Sequence, residues 1–482
     1  MKLFQGWNSI MGHKVSRAPR MMLLAGILAA SNGCQVYHGK PLPRTAVSRS
    51  RPVPAWKKLR IAAARIHSLP LPPLPLQHAE GLTPAEATVL AVLLNPSLRA
   101  LRDQRGEAAA QVLQAGLLPN PQLTESTSLV TGGYRTGTFT GYGAGLSWNI
   151  ARLINRSARL AAARYHRGQV DLEVAWREWQ TALAARLAVY DVLAIQRELA
   201  QARLARDHLR HDWSILTVAF HKRLATLLEV TAARSAERQA ENQVLQLKQQ
   251  LRQHRILLNR ALGLPPPFPA NLRIDGTFPR RLAPPQASLL LDGIPKRRLD
   301  LLALRLGYRS AQEKLRAAVL QQFPRISIGF QQGSDTSNLH TTGFGVTLDL
   351  PIFDHNQGRI ASAKASRKAL YDTYVARTFT AQSDAYLALA NLHALQPRIR
   401  ASRQAVTGLE MLRKTYAQAL QFGGVDVVSY YTVVTRLSTE KIHLLRLKDQ
   451  AVRNWIALAM ATGLYLPLEQ PRSVENIRVP TQ

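Results

Sequence analysis

The feature that most constrains this chain is that its body is written twice. Leu98, Ala100, Leu101 and Arg102 recur as Leu301, Ala303, Leu304 and Arg305, an offset of 203. Pro121-Gln122-Leu123 is answered by Pro324-Arg325-Ile326 at the same offset. Thr140-Gly141-Tyr142-Gly143-Ala144-Gly145-Leu146 is answered by Thr342-Gly343-Phe344-Gly345-Val346-Thr347-Leu348 at 202. Ala161 and Ala163 match Ala363 and Ala365, Leu245, Leu247 and Lys248 match Leu445, Leu447 and Lys448, and Gly263-Leu264 matches Gly463-Leu464. Each match alone is weak. Their common order and near-constant spacing make the 482 residues two copies of one unit rather than two unrelated domains.

Each copy has the same internal plan. A helix (about 97–117 and 299–321) leads to two strands (122–130 with 138–148, and 325–332 with 341–350). A very long helix follows (157–222 and 358–421), then a break and a closing helix (227–262 and 427–462). The body starts at Leu82-Thr83-Pro84-Ala85-Glu86, where Thr83 suits an N-cap, Pro84 the first helical position and Glu86 a capping box. The first long stretch holds no proline and reaches roughly 100 Å at 1.5 Å per residue. Leu172, Trp176, Trp179, Leu183, Leu187 and Tyr190 recur at three-and-four spacing along it, so one stripe is buried. Alanines (Ala161, Ala162, Ala163; Ala361, Ala363, Ala365) permit close helix approach. Pro397 is expected to kink the second long helix or divide it into two.

The strands alternate with period two. Phe344, Val346, Leu348 and Leu350 oppose Gly343, Gly345, Thr347 and Asp349. Ile326, Ile328 and Phe330 oppose Ser327, Gly329 and Gln331, and Tyr142, Leu146 and Trp148 oppose Gly141, Gly143 and Gly145. The alternation is poor at 122–130. This fits lipid on one face and a polar lumen on the other. Four strands cannot close a barrel, and an open edge in lipid leaves backbone groups unpaired. Several chains must therefore share one barrel, or else the strands form a soluble four-stranded sheet.

The N-terminus bears on export. Lys2, Lys14, Arg17 and Arg20 precede the apolar run Met21–Ala30, and Ser31-Asn32-Gly33-Cys34 follows. That is the layout of a signal peptide, 1–33. Cys34, the single cysteine, stands where a bacterial lipoprotein carries its acyl chains; the competing reading is an incidental cysteine beside an ordinary cleavage site. A proline-rich tether (34–81) follows, then the first repeat (82–263), a proline-rich bridge (264–296), the second repeat (297–466) and a tail (467–482). No segment has the apolar length of a membrane-spanning helix.

Charge and motifs narrow the function. With 63 Lys and Arg against 30 Asp and Glu the formal charge is +33, and loss of residues 1–33 leaves +29. The arginines are dispersed along the helices, as solvated faces and inter-helix pairs, rather than gathered into a nucleic-acid footprint. No phosphate-binding loop, His-Glu-x-x-His or nucleophile elbow is present, so neither an enzyme nor a bound cofactor is expected. His208 and His211 lie three apart on a helix, but with no third ligand evident they read as solvated histidines.

The segments joining strands to helices resemble one family. Leu117-Leu118-Pro119-Asn120-Pro121-Gln122-Leu123, Leu350-Pro351-Ile352-Phe353-Asp354-His355-Asn356-Gln357-Gly358-Arg359-Ile360 and Gly423-Gly424-Val425-Asp426-Val427-Val428 are similar to TolC-type outer membrane factors over about residues 82–466. Three departures stand out. Leu299 replaces a usual proline, the turn His221-Lys222-Arg223-Leu224-Ala225-Thr226 lacks a glycine, and Ser429 replaces an acid of some members.

The resemblance implies a mainly α fold with a small β part. It implies a homotrimer with a shared 12-stranded outer-membrane barrel and long antiparallel periplasmic helices. It further implies an exit duct fed by an inner-membrane pump and a periplasmic adaptor, embedded in outer-membrane lipid and without a nucleic-acid partner. The Phe353–Gly358 form is most similar to the heavy-metal branch, with drug-efflux and secretion channels as alternatives. A coiled-coil scaffold lipoprotein of the periplasm is the rival of another class. By the same resemblance the turns at 221–227 and 422–429 form the periplasmic tip. Asp426, present once per chain, is then a candidate gate; it equally suits the N-terminus of the closing helix as a cap.

Overall fold

The computed structural model describes residues 37–42, 81–133, 137–264, 273–274, 276, 278–279, 286–422 and 424–464. The signal segment, Cys34, most of the tether and bridge, Gly423 and the tail lie outside the described residues. The chain divides into units 1–52 and 53–482; of the first, Tyr37–Leu42 is an exposed run without regular structure.

In the second unit, α1 (Pro84–Leu94) and α2 (Pro96–Gly116) lead to β1 (Gln122–Ser128) and β2 (Gly141–Asn149). A short α3 (Ala151–Ile154) turns the chain into α4 (Arg156–His221), and α5 (Leu227–Leu262) runs back. Two short helices, α6 (Ala287–Leu291) and α7 (Ile294–Arg297), fall in the segment read only as a bridge. The second copy follows as α8 (Leu299–Leu320), β3 (Arg325–Ser334), β4 (His340–Asp349), α9 (Gln357–Gln421) and α10 (Val427–Thr462). The duplicated plan stands, with most helix ends within a residue or so of those expected.

The capping box at the start of the body is formed. Glu86 N–H donates to Thr83 Oγ1 at 3.2 Å and Thr83 N–H donates to Glu86 Oε2 at 3.0 Å. Both closing helices end on a left-handed glycine, Gly263 (φ 75°) and Gly463 (φ 71°). Pro397 does not divide α9, which is one helix of 65 residues. Leu392 and Leu395, both buried in the core, hold the helix on the N-terminal side of the proline, and tertiary packing outweighs one lost backbone donor.

α4 is the hub of the helical part: α1, α2, α5, α8 and α10 all pack on it, while α9 packs on α8 and α10. The largest core is built on the expected stripe of α4. Trp176, Trp179, Leu183 and Tyr190 are buried there against α1, Leu258 and Leu262 of α5, and Val452 and Ile456 of α10. Ion pairs tie the helices together between dispersed arginines and acids: Arg102 to Glu178 at 2.7 Å, Arg206 to Glu241 at 2.9 Å and Lys441 to Glu410 at 2.7 Å. No described helix is long and apolar enough to cross a membrane.

The four strands form one antiparallel meander in the order β1-β2-β3-β4, pairing the two halves through β2 and β3.

Candidate functional site

The register of the sheet decides which residues share a face. Leu123 pairs with Leu146, Leu146 with Phe330, and Phe330 with Phe344. One apolar row thus crosses all four strands. Trp148, Ile328 and Val346 form the next row, and Ile326 with Leu348 the third. Phe344 is 88% exposed and Val346 66%, although Phe330 and Phe344 touch with ring centroids 5.2 Å apart. Such an apolar sheet face, uncovered by helix or second sheet, fits lipid as its solvent.

The opposite face is polar or bare. Thr124, Gly145, Gln331 and Gly343 form one row there, and Ser126, Gly143, Gly333 and Thr341 another. This face forms an open trough lined by Thr124, Ser126, Gln331, Thr341 and Thr347. A Cβ at Gly143 would sit 2.7 Å from Ser126 Oγ, so the serine hydroxyl lies close over the bare glycine. Arg325 and Asp349 are the charged pair of this face, at its helix-side end and 3.9 Å apart. β1 alternates poorly in sequence because its outward positions include Glu125 and Thr127 beside Leu123; it is nonetheless paired with β2 over its whole length. Among the described residues β1 and β4 each leave one edge unpaired.

At the far end of the long helices the two turns are built alike with exchanged chemistry. In the first, Thr226 caps α5: Glu229 N–H donates to Thr226 Oγ1 at 3.3 Å, and Thr226 N–H donates to Glu229 Oε2 at 2.7 Å. In the second, Asp426 caps α10: Ser429 N–H donates to Asp426 Oδ1 at 2.9 Å, and the Ser429 hydroxyl donates to Oδ2. Each turn therefore holds one carboxylate at a helix N-terminus, Asp426 exposed and Glu229 half-buried. The Ser429 hydroxyl and then its N–H hold the Asp426 carboxyl below its ordinary range. The glycine missing from the first turn is replaced by Arg223, which takes a left-handed conformation itself (φ 59°).

Tip and body are joined by a small core of Leu209, Ala233, Val427, Tyr431 and Val434. Leu224, Leu227, Leu228 and Phe422 project from the tip with 64% exposure or more. Burial and the nearby Asp212 push the Tyr431 hydroxyl up. His208 and His211 are exposed on α4, and both pull on Asp212, which burial raises. Among the described residues no three His, Cys, Asp or Glu side chains are arranged to hold a metal ion.

Sequence reasoning missed an ionic node midway along the helices. Arg453 of α10 reaches Asp191 of α4 at 2.7 Å and Asp449 of α10 at 2.7 Å, with His254 of α5 3.9 Å from Asp191. Two turns further along both helices, Arg446 pairs with Glu198 at 3.1 Å. Burial pushes Asp191 up to about 6 against the pull of Arg453, and raises Glu198 and Asp449 as well. No motif marks these residues, because the partners lie in different halves of the chain.

Residues 290–464 match the family model "Outer membrane efflux protein". That span includes Leu350–Ile360 and Asp426; the first-half segment 117–123 lies outside it. The chain is 23% identical to the cobalt-zinc-cadmium resistance protein CzcC of Cupriavidus metallidurans over 342 residues, 70% of this chain and 79% of that protein. Among solved structures it is similar to CusC, with a TM-score of 0.67 and 18% identity over 79% of this chain and 92% of that one. It is also similar to the outer membrane protein VceC of Vibrio cholerae, with a TM-score of 0.66 and 19% identity over 79% and 96%. These likenesses extend the fold to both repeats.

Proposed function

We propose that this chain, whose residues 290–464 match the outer membrane efflux protein family model, is the outer-membrane exit duct of a tripartite efflux system. The observation that carries the reading is the sheet: a continuous apolar belt outside, a polar trough inside and two open edges. Three copies close those edges into 12 strands, and α4 and α9 continue the barrel as a tunnel of roughly 100 Å. The duct does no chemistry. It conducts what an inner-membrane pump and a periplasmic adaptor deliver.

Heavy-metal cations are the cargo this reading assigns, on the similarity to the cobalt-zinc-cadmium resistance protein. Cys34 is the lipid anchor and Asp426 a tip residue of the gate. As an N-cap, Asp426 is held in place by Ser429, which fixes where three carboxylates meet around the axis. The test has two parts. Outer-membrane fractionation with a heat-labile trimer supports the duct, while recovery in the soluble periplasm sinks it in favour of the scaffold. A deletion strain sensitised to cobalt, zinc or cadmium supports the metal cargo; sensitivity to drugs alone gives the cargo to drug efflux.

A further inference from the structure

Where the sheet meets the helices, a cleft opens that neither the conducting path nor the tip accounts for. It is lined by Arg152, Arg159 and Arg359 and by Ile352 and Phe353, with Arg325 and Asp349 of the trough face at its edge. The apolar side chains here are left bare: Phe353 is 91% exposed and Ile352 66%, with Leu350 and Phe323 beside them. Leu350 continues the parity of Phe344, Val346 and Leu348, so the cleft begins where the apolar belt ends.

The charges are out of balance. Two carboxylates line the cleft, and both are engaged: Asp349 with Arg325, and Asp354 with the N–H of Asn356 at 2.8 Å. Among the described residues no ion pair holds Arg152, Arg159 or Arg359 to a carboxylate. The Nε of Arg159 is buried and has no hydrogen-bond partner. Arg159 and Arg359 also line the adjoining pocket between α2, α4, α8 and α9, where Lys314 and His166 add basic groups over a floor of Ala162, Ala317 and Ala318.

We infer that this junction is a binding site for an anionic phospholipid headgroup of the periplasmic leaflet. The inference rests on the outer-membrane reading given above and adds the lipid class to it. A guanidinium fork matches two oxygens of a phosphodiester, and arginine sheds water more readily than lysine at such a boundary. The bare Phe323, Ile352 and Phe353 sit beside the phosphate position, where the glycerol and first acyl carbons lie. Amphipathic side chains concentrate at that depth of a bilayer. A second copy of the chain is the rival occupant of the apolar surface, and the assembly readout below separates it from lipid. An anionic headgroup satisfies both halves of the surface.

The test uses the full chain, reconstituted into vesicles of phosphatidylcholine alone and of phosphatidylcholine with phosphatidylglycerol. Lipid retained after a detergent wash is identified by mass, and the melting midpoint is recorded in each vesicle. The wild type is expected to retain phosphatidylglycerol several-fold over its share of the mixture and to melt higher in its presence. Arg152→Gln/Arg159→Gln/Arg359→Gln is expected to enter both vesicles but retain lipid in proportion to the mixture. The single exposed variants Arg152→Gln and Arg359→Gln, which leave the helix packing alone, are expected to lose part of the preference. An undiminished preference in the triple variant overturns the site. So does loss of assembly with the preference intact, which makes the cleft a contact between copies. Equal retention by the wild type refutes the site alone, whereas failure of the wild type to enter either vesicle refutes the membrane reading on which it stands.

Discussion

Asp426 accepts hydrogen bonds from both the backbone N–H and the hydroxyl of Ser429. Cap and charge thus belong to one side chain, and they can be separated. Asn caps a helix about as well as Asp. Asp426→Asn should keep α10 intact and remove only the charge. If Asp426 gates, intact cells carrying the variant become more sensitive to large antibiotics with unchanged channel abundance. Unaltered permeability would reduce Asp426 to a cap.

The ionic node should give the helical part an unusual response to acid. A carboxyl whose folded pKa lies above its unfolded value binds its proton more tightly in the folded chain. Its contribution is greatest at low pH and is lost as pH rises from about 4 through 6, the interval between the ordinary value of Asp191 and its buried one. Glu198 and Asp449 are displaced in the same direction. His254, held low by burial and by Arg453, works in the opposite sense and loses stability as pH falls below its ordinary range. Asp191→Asn should therefore flatten the melting midpoint between pH 4 and 6 relative to wild type. A slope the same in both proteins would mean that Asp191 is not the group responsible.

The two terminal glycines should differ in how far they tolerate alanine. Both are left-handed, which costs an L-residue about 1–2 kcal/mol. At Gly263 an added Cβ would also lie 2.6 Å from Asn95 Cα, whereas at Gly463 the nearest atom is the Arg298 side chain at 3.1 Å. Gly263→Ala should lower the melting midpoint more than Gly463→Ala. Equal losses would show that backbone conformation alone sets the cost.

Arg298 and Asp300 form a buried pair, with guanidinium nitrogens 2.9 and 2.7 Å from the two carboxylate oxygens and Arg298 lying over the Trp176 ring. Asp300→Asn leaves a buried guanidinium without its counter-charge, at a cost of about 3–5 kcal/mol. Denaturant unfolding of the variant measures it.

Val346 faces the belt and Thr347 the trough. Val346→Arg places a charge in lipid, worth about 2–4 kcal/mol per copy near the bilayer centre. It should sharply reduce the amount of assembled protein in the outer membrane. Thr347→Arg should leave that amount nearly unchanged and alter conductance instead.

Most of the fold was legible because its signals are periodic and repeated. The stripe from Trp176 to Tyr190 and the alternation from Phe344 to Leu350 fix helix and strand independently of any partner. Thr83, Glu86, Gly263 and Gly463 mark ends through local backbone chemistry. What sequence could not show depends on pairing across the duplication. The Arg453–Asp191 contact joins residues 262 apart, and nothing in the local composition of either announces it. β1 was weak in sequence for a related reason: Glu125 and Thr127 occupy outward positions, and only pairing with β2 shows that they belong to a strand. Division at Pro397 does not occur, because a local helix breaker says nothing of the packing of Leu392 and Leu395 that holds the helix on its N-terminal side.

The unpaired edges of β1 and β4 carry a genetic consequence. In the proposed trimer the sheet closes only by borrowing its neighbours, which makes every subunit answerable for the whole ring. If one copy in three cannot join its edges, the two sound copies beside it are stranded as well. Mixed expression of a sound and an edge-defective allele should then fail far more often than the share of bad subunits suggests, since random assembly leaves few rings without one.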